Sequence, residues 1–108
     1  MKKTTKILCV CNKGKVRSIA TKYCLNRRGY NDVLTVGGEI VSLLTMDMLC
    51  KWADVILLAK PSHIDFVTNN NLTKINKDFT IGEDTYGTPV NLLLEEIINK
   101  QLDKIGLI

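Results

Sequence analysis

Three observations predict an α/β fold, with helices on both faces of a parallel sheet. Two short segments, Lys6–Cys11 and Asp54–Ala59, are almost continuously apolar rather than alternating, as suits strands buried on both faces. Stretches with helical spacing of apolar residues lie between and after them. The two kinds of segment alternate along the chain, which argues for parallel strands linked by helical crossovers. At 108 residues the chain fits one domain spanning residues 1–108, large enough to bury a core without disulfide staples.

The first strand ends at Cys11, where Asn12 to Val16 breaks the apolar run. From Ser18 a helix is expected, with Ile19, Ala20, Tyr23, Cys24 and Leu25 on its apolar side. Arg27 and Arg28 supply a cationic last turn, and Gly29 the residue after it. A second strand covers Val33–Val36 and stops at Gly37 and Gly38. Ser42 caps a helix to about Lys51, with Leu43, Leu44, Met48, Leu49 and Trp52 as its core contacts. Asp54–Ala59 is the third strand. Pro61 and Ser62 open a short helix, with Asp65 placed as in a capping box, and Asn69–Asn71 mark a turn. Phe79–Ile81 reads as a fourth strand. Thr88 and Pro89 then resemble an N-cap and N1 pair, starting a helix with Val90, Leu93, Leu94, Ile97, Ile98 and Leu102 inward. The expected architecture is a three-layer α/β/α sandwich on a four-stranded parallel sheet of order 2-1-3-4.

Composition narrows the chemistry. The four cysteines, Cys9, Cys11, Cys24 and Cys50, show no zinc spacing, and His63 is the sole histidine, so neither a metal site nor a metal cofactor is expected. Cys24 and Cys50 fall in apolar helical patterns and read as core. The basic start of the chain leads into too short an apolar run for a secretory signal or a membrane span. Free thiols without a signal place the protein in the cytoplasm. Nine of the 15 Lys and Arg residues lie between Lys2 and Arg28, and no acidic residue precedes Asp32. A basic end favours an anionic partner. Nucleic acid is disfavoured, because only Tyr23 and Tyr30 supply aromatic rings in that region.

In an open parallel sheet, ligands bind beyond the carboxyl ends of the strands. That place is taken by Cys11-Asn12-Lys13-Gly14-Lys15-Val16-Arg17-Ser18: a cysteine, five residues, then Arg-Ser, between a strand end and a helix start. Five residues let successive backbone N–H groups curl around one anion, and the helix N-terminus adds its own. The same field favours the thiolate of a cysteine at the loop's start. Gly14 allows the positive φ that such a nest needs. Arg17 offers paired hydrogen bonds to two phosphoryl oxygens, and Ser18 a donor to the Cys11 sulfur. Lys13 and Lys15 raise the local potential or simply face water. His63, at the start of a short helix, reads as a capping or solvated residue.

Together with Ile7-Leu8-Cys9-Val10 before it, this loop resembles that of the low-molecular-weight protein tyrosine phosphatase family, in an abbreviated form. Trp52-Ala53-Asp54-Val55-Ile56-Leu57-Leu58 is similar to the family's third strand and its approach. Glu83-Asp84-Thr85-Tyr86-Gly87-Thr88-Pro89 is similar to its acid loop. The resemblance implies Cys11 as nucleophile, Arg17 and the loop amides from Asn12 to Val16 as phosphate ligands, Asp84 as general acid with Glu83 as the alternative, and Tyr86 near the substrate ring. It implies metal-independent hydrolysis of a phosphorylated protein or a small phosphomonoester. The sequence departs from the family at Gly14, where asparagine is usual, at Val16, often a second cysteine, and at Thr85, usually proline. Three rival readings are a phosphoryl carrier like a sugar phosphotransferase IIB component, a thiol-coupled arsenate reductase, and a phosphate-binding module without catalysis.

Overall fold

The computed structural model describes residues 2–108. Three parallel strands, β1 (Ile7–Cys11), β2 (Val33–Gly37) and β3 (Val55–Leu58), form a sheet of order β2-β1-β3. Helices α1 (Arg17–Arg27), α2 (Leu43–Trp52) and α3 (Leu92–Lys104) cover its faces, and two 3₁₀ turns, Pro61–Phe66 and Asn69–Lys74, follow β3. β1 lies in the middle because it is apolar at every position, all five residues being buried. Its period of two splits them. Ile7 and Cys9 join the core under α1 and α3 with Leu25, Leu57, Leu94, Ile98 and Leu102. Leu8 and Val10 face the opposite core with Met46, Cys50, Ile56 and Leu58. Cys11 is left at the strand's end, in neither cluster.

Helix α1 closes as expected. Gly29 follows it at positive φ, and the Tyr30 N–H donates back to Leu25 O at 3.0 Å, a Schellman turn that brings two buried side chains together. Other expectations are corrected. Ser42 caps α2 by accepting from Thr45 N, and Leu49 and Trp52 pack partly buried against the core, but the fully buried residues are Met46 and Cys50, while Leu43, Leu44 and Met48 stand exposed. The capping geometry sets the helix's rotation, and 3.6-residue spacing from Cys50 selects Met46 instead of its neighbours. Helix α3 begins at Leu92 with Asn91 as its cap, so Thr88-Pro89 does not start it and Val90 and Leu93 lie outside the core. The capping pair of the first 3₁₀ turn is Lys60 with His63, not Ser62 with Asp65.

The expected fourth strand is absent. Ile75 makes an isolated parallel bridge to Ile56, and Asn76 N donates to Ile56 O at 3.0 Å. Asn76 Oδ1 then accepts from Asp78 N at 3.1 Å, an Asx turn that carries the chain away from β3. It returns only at Ile81 and Gly82, whose N–H groups both donate to Ala59 O. Phe79 is buried under α1 and α3 instead of pairing as a strand residue. Between the end of β3 and these segments lies a cavity of about 270 Å³ whose lining includes Leu58, Pro61, Ile64, Ile75, Asn76 and Phe79. No helix among the described residues is long and apolar enough to cross a membrane.

Candidate active site

The loop from Cys11 to Val16 turns back over the carboxyl edge of the sheet into α1. No side chain caps that helix and no acidic residue occupies its first turn, so its first N–H groups and the positive end of its dipole face the loop unopposed. Cys11 is 2% exposed. Its sulfur accepts the Gly14 N–H at 3.2 Å and lies 3.2 Å from Ser18 Oγ. The sulfur is thus bracketed by a backbone N–H and a hydroxyl.

Gly14 has φ +69°, the conformation anticipated for it. A second reason for glycine comes from the neighbouring strand. A Cβ on Gly14 would sit 2.7 Å from Gly37 N, and one on Gly37 would sit 2.2 Å from the Lys13 carbonyl carbon. The loop therefore rests on the end of β2, where two glycines meet backbone to backbone. The Gly38 and Glu39 N–H groups complete the seam by donating to Cys11 O and Asn12 O, each at 2.9 Å.

Arg17 is 1% exposed, a charge that is rarely buried without partners. Nη1 donates to Gly82 O at 2.6 Å, and Nη2 lies 3.5 Å from Asn12 Oδ1. Its Nε is the single buried side-chain N or O atom among the described residues without a hydrogen-bond partner. Lys13 and Lys15 are exposed on the loop's outer side, and Val16 packs partly buried against the core under α1.

The segment that begins at Gly82 is joined to this centre through the Gly82 carbonyl, which accepts from Arg17. Glu83 pairs with Lys60, its two carboxylate oxygens each 3.2 Å from Nζ. Asp84 is exposed and makes no hydrogen bond or ion pair among the described residues. Tyr86 is half-buried and packs against the core under α1 and α3. Of the two acidic candidates, Glu83 is thus engaged and Asp84 uncommitted.

His63 is where sequence reasoning fell short. It caps its 3₁₀ turn as expected, accepting Lys60 N–H on Nδ1 at 3.4 Å, but it is not solvated, being 2% exposed. Its Nε2 reaches Asn12 Oδ1. Burial first, and then the charges of Arg17 and Lys60, lower its pKa to about 4 from the usual 6.5. The unfolded chain therefore takes up a proton between these values while the folded chain does not. Stability should be flat above about pH 6.5 and decline towards pH 4, by on the order of 3 kcal/mol in total. Urea unfolding at pH 7 and pH 4.5 checks this. His63→Gln should remove that part of the pH dependence, and an unchanged slope would contradict it.

The other cysteines stand apart. Cys9, Cys24 and Cys50 are buried, and burial holds the thiols of all three above their ordinary range. Among the described residues no group of three His, Cys, Asp or Glu side chains is arranged to hold a metal ion.

No protein-family profile and no curated protein matches this chain. Solved structures do. Wzb of Vibrio vulnificus, in complex with benzylphosphonate, superposes with a TM-score of 0.69 at 16% identity, over 94% of this chain and 99% of that one. The Erwinia amylovora tyrosine phosphatase AmsI gives 0.67 at 17% identity, over 94% and 93%. The tyrosine phosphatase Wzb of Escherichia coli K30, in complex with phosphate, gives 0.68 at 17%, over 95% and 99%. The chain has the fold of these bacterial proteins over almost its whole length.

Proposed function

We propose that the protein is a metal-independent phosphatase acting on aryl phosphates, in particular protein phosphotyrosine. The observation that carries this reading is the pairing, in one loop, of a thiol fed by a backbone N–H with a buried guanidinium whose Nε–H is unpaired. A buried unpaired donor is unfavourable by about 1–3 kcal/mol, and an oxyanion held by the loop would relieve it. The likeness to two tyrosine phosphatases, one in complex with phosphate, supports the same chemistry.

In the proposed cycle the Cys11 thiolate attacks phosphorus in line and forms an S–P bond as the P–O bond to the phenol breaks. Arg17 and the amides of Asn12 to Val16 hold the equatorial oxygens. Ser18 Oγ stabilises the sulfur as it enters and leaves. Asp84 gives its proton to the departing phenolate, then takes one from the water that attacks the cysteinyl phosphate and releases inorganic phosphate. Tyr86 lies beside the substrate ring. The engagement of Glu83 with Lys60 favours Asp84 over its neighbour as the acid.

Asp84→Asn tests the assignment. It should lower kcat on a phosphotyrosine peptide by about 10²–10⁴-fold and flatten the limb of the pH–rate profile that Asp84 controls. An unchanged profile would remove Asp84 from the mechanism. The lifetime of the Cys11 phosphoryl adduct separates the readings: rapid hydrolysis marks a phosphatase, long persistence a carrier. The raised pKa values of the other three thiols weigh against an arsenate relay, whose partner cysteines react as thiolates.

A further inference from the structure

Gly14 leaves the loop without a side chain at the position from which an asparagine would brace it, yet the loop is braced. The brace comes from Asn12. Its Nδ2 donates to Glu39 Oε1 at 2.8 Å, and its Oδ1 faces both Arg17 Nη2 and His63 Nε2. The orientation of this carboxamide is therefore set by groups from three other parts of the chain. His63 is itself held on two sides. The Lys60 N–H on Nδ1 obliges the ring proton to sit on Nε2, so that Nε2–H donates to Asn12 Oδ1. The imidazole also stacks on Phe66, with ring centroids 5.4 Å apart and an interplanar angle of 29°. Phe66 in turn lies so close to Gly38 that a Cβ there would fall 2.2 Å from its ring. The same turn carries Lys60, whose ammonium pairs with Glu83.

We propose that His63 is a positioning residue for the phosphate loop: its Nε2–H fixes the Asn12 carboxamide, which aims the Arg17 guanidinium. The inference rests on reading the loop as a phosphate site. His63 does not touch the phosphate and takes no part in proton transfer. Its place in the 3₁₀ turn after β3 makes that turn a common support for the phosphate loop, through His63, and for the acid-loop segment, through Lys60.

The test compares His63→Leu, which keeps bulk without a donor, with His63→Gln, which keeps an N–H at comparable reach. Two quantities are read: the Kd for inorganic phosphate, and hydrogen exchange of the Gly14 and Arg17 amides without ligand. His63→Leu should weaken phosphate binding by about tenfold and speed amide exchange in the loop, and His63→Gln should restore most of both. Asn12→Ala alters only a partly buried loop side chain and reads the link from its other end, even if His63→Leu fails to fold. It should weaken phosphate binding by a similar factor, and adding His63→Leu to it should change little further. Parent-like phosphate affinity in His63→Leu or in Asn12→Ala, or effects at the two sites that multiply, would overturn the proposal. Loss of loop order and anion affinity in a protein that hydrolyses no phosphotyrosine substrate would leave His63 as a positioning residue and remove the phosphatase reading instead.

Discussion

Cys11→Ser is expected to abolish hydrolysis of p-nitrophenyl phosphate and of a phosphotyrosine peptide, measured without added metal, a loss on the order of 10⁴-fold or more. The sulfur sits at the end of the central strand with the Gly14 N–H at 3.2 Å and the Ser18 hydroxyl at the same distance. A serine oxygen is a far weaker nucleophile at neutral pH, since its hydroxyl stays protonated and no base in the loop stands ready to deprotonate it. The substitution exchanges the sulfur for a smaller oxygen and leaves the loop amides and Arg17 in place, so phosphate binding should survive. Turnover comparable to the parent in Cys11→Ser would exclude a cysteinyl-phosphate mechanism. A parent chain that is folded, binds phosphate and turns over neither substrate would shift the weight to a carrier or a binding module.

Arg17→Lys is expected to lower kcat/KM by about 10²–10³-fold although the charge is kept. The guanidinium presents a planar fork of donors. One Nη is fixed on Gly82 O at 2.6 Å, the other faces Asn12, and Nε remains unpaired in the interior. An ammonium is a point charge that cannot hold the Gly82 carbonyl and two phosphoryl oxygens in one plane. Because Arg17 is 1% exposed, the lysine would also bring a buried cation with fewer partners, and stability should fall by about 1–3 kcal/mol. Phosphate affinity measured together with the unfolding midpoint separates the two effects. Stability lost without any change in kcat/KM would make Arg17 a structural residue only.

Both predictions concern a loop that could be read directly. Cys11, Gly14, Arg17 and Ser18 lie within eight consecutive residues, and a strand end followed by a helix start constrains how so short a segment can curl. The same locality made β1, β3 and the Gly29 helix stop legible, since each depends on apolar runs or turn chemistry close in sequence. What the sequence alone did not reveal is long-range. Helix α2 has apolar residues on several sides, and only its cap and its docking on the sheet select Met46 and Cys50 over Leu43, Leu44 and Met48. Phe79–Ile81 has strand composition, but the Asx turn at Asn76 and the pull of the core on Phe79 keep it from pairing along β3.

By itself, then, the sequence determined the alternation of strands and helices and the cysteine–arginine loop, because periodicity and short-range spacing dictate both. Tertiary structure decided the three-stranded sheet, the contact of Gly14 with Gly37, the engagement of Glu83 by Lys60, and the burial of His63 against Asn12. Each of these joins residues 23 to 51 positions apart. Such contacts exist only once the crossovers have brought β2, β3 and the segment after it to the same edge of the sheet, which local pattern does not encode.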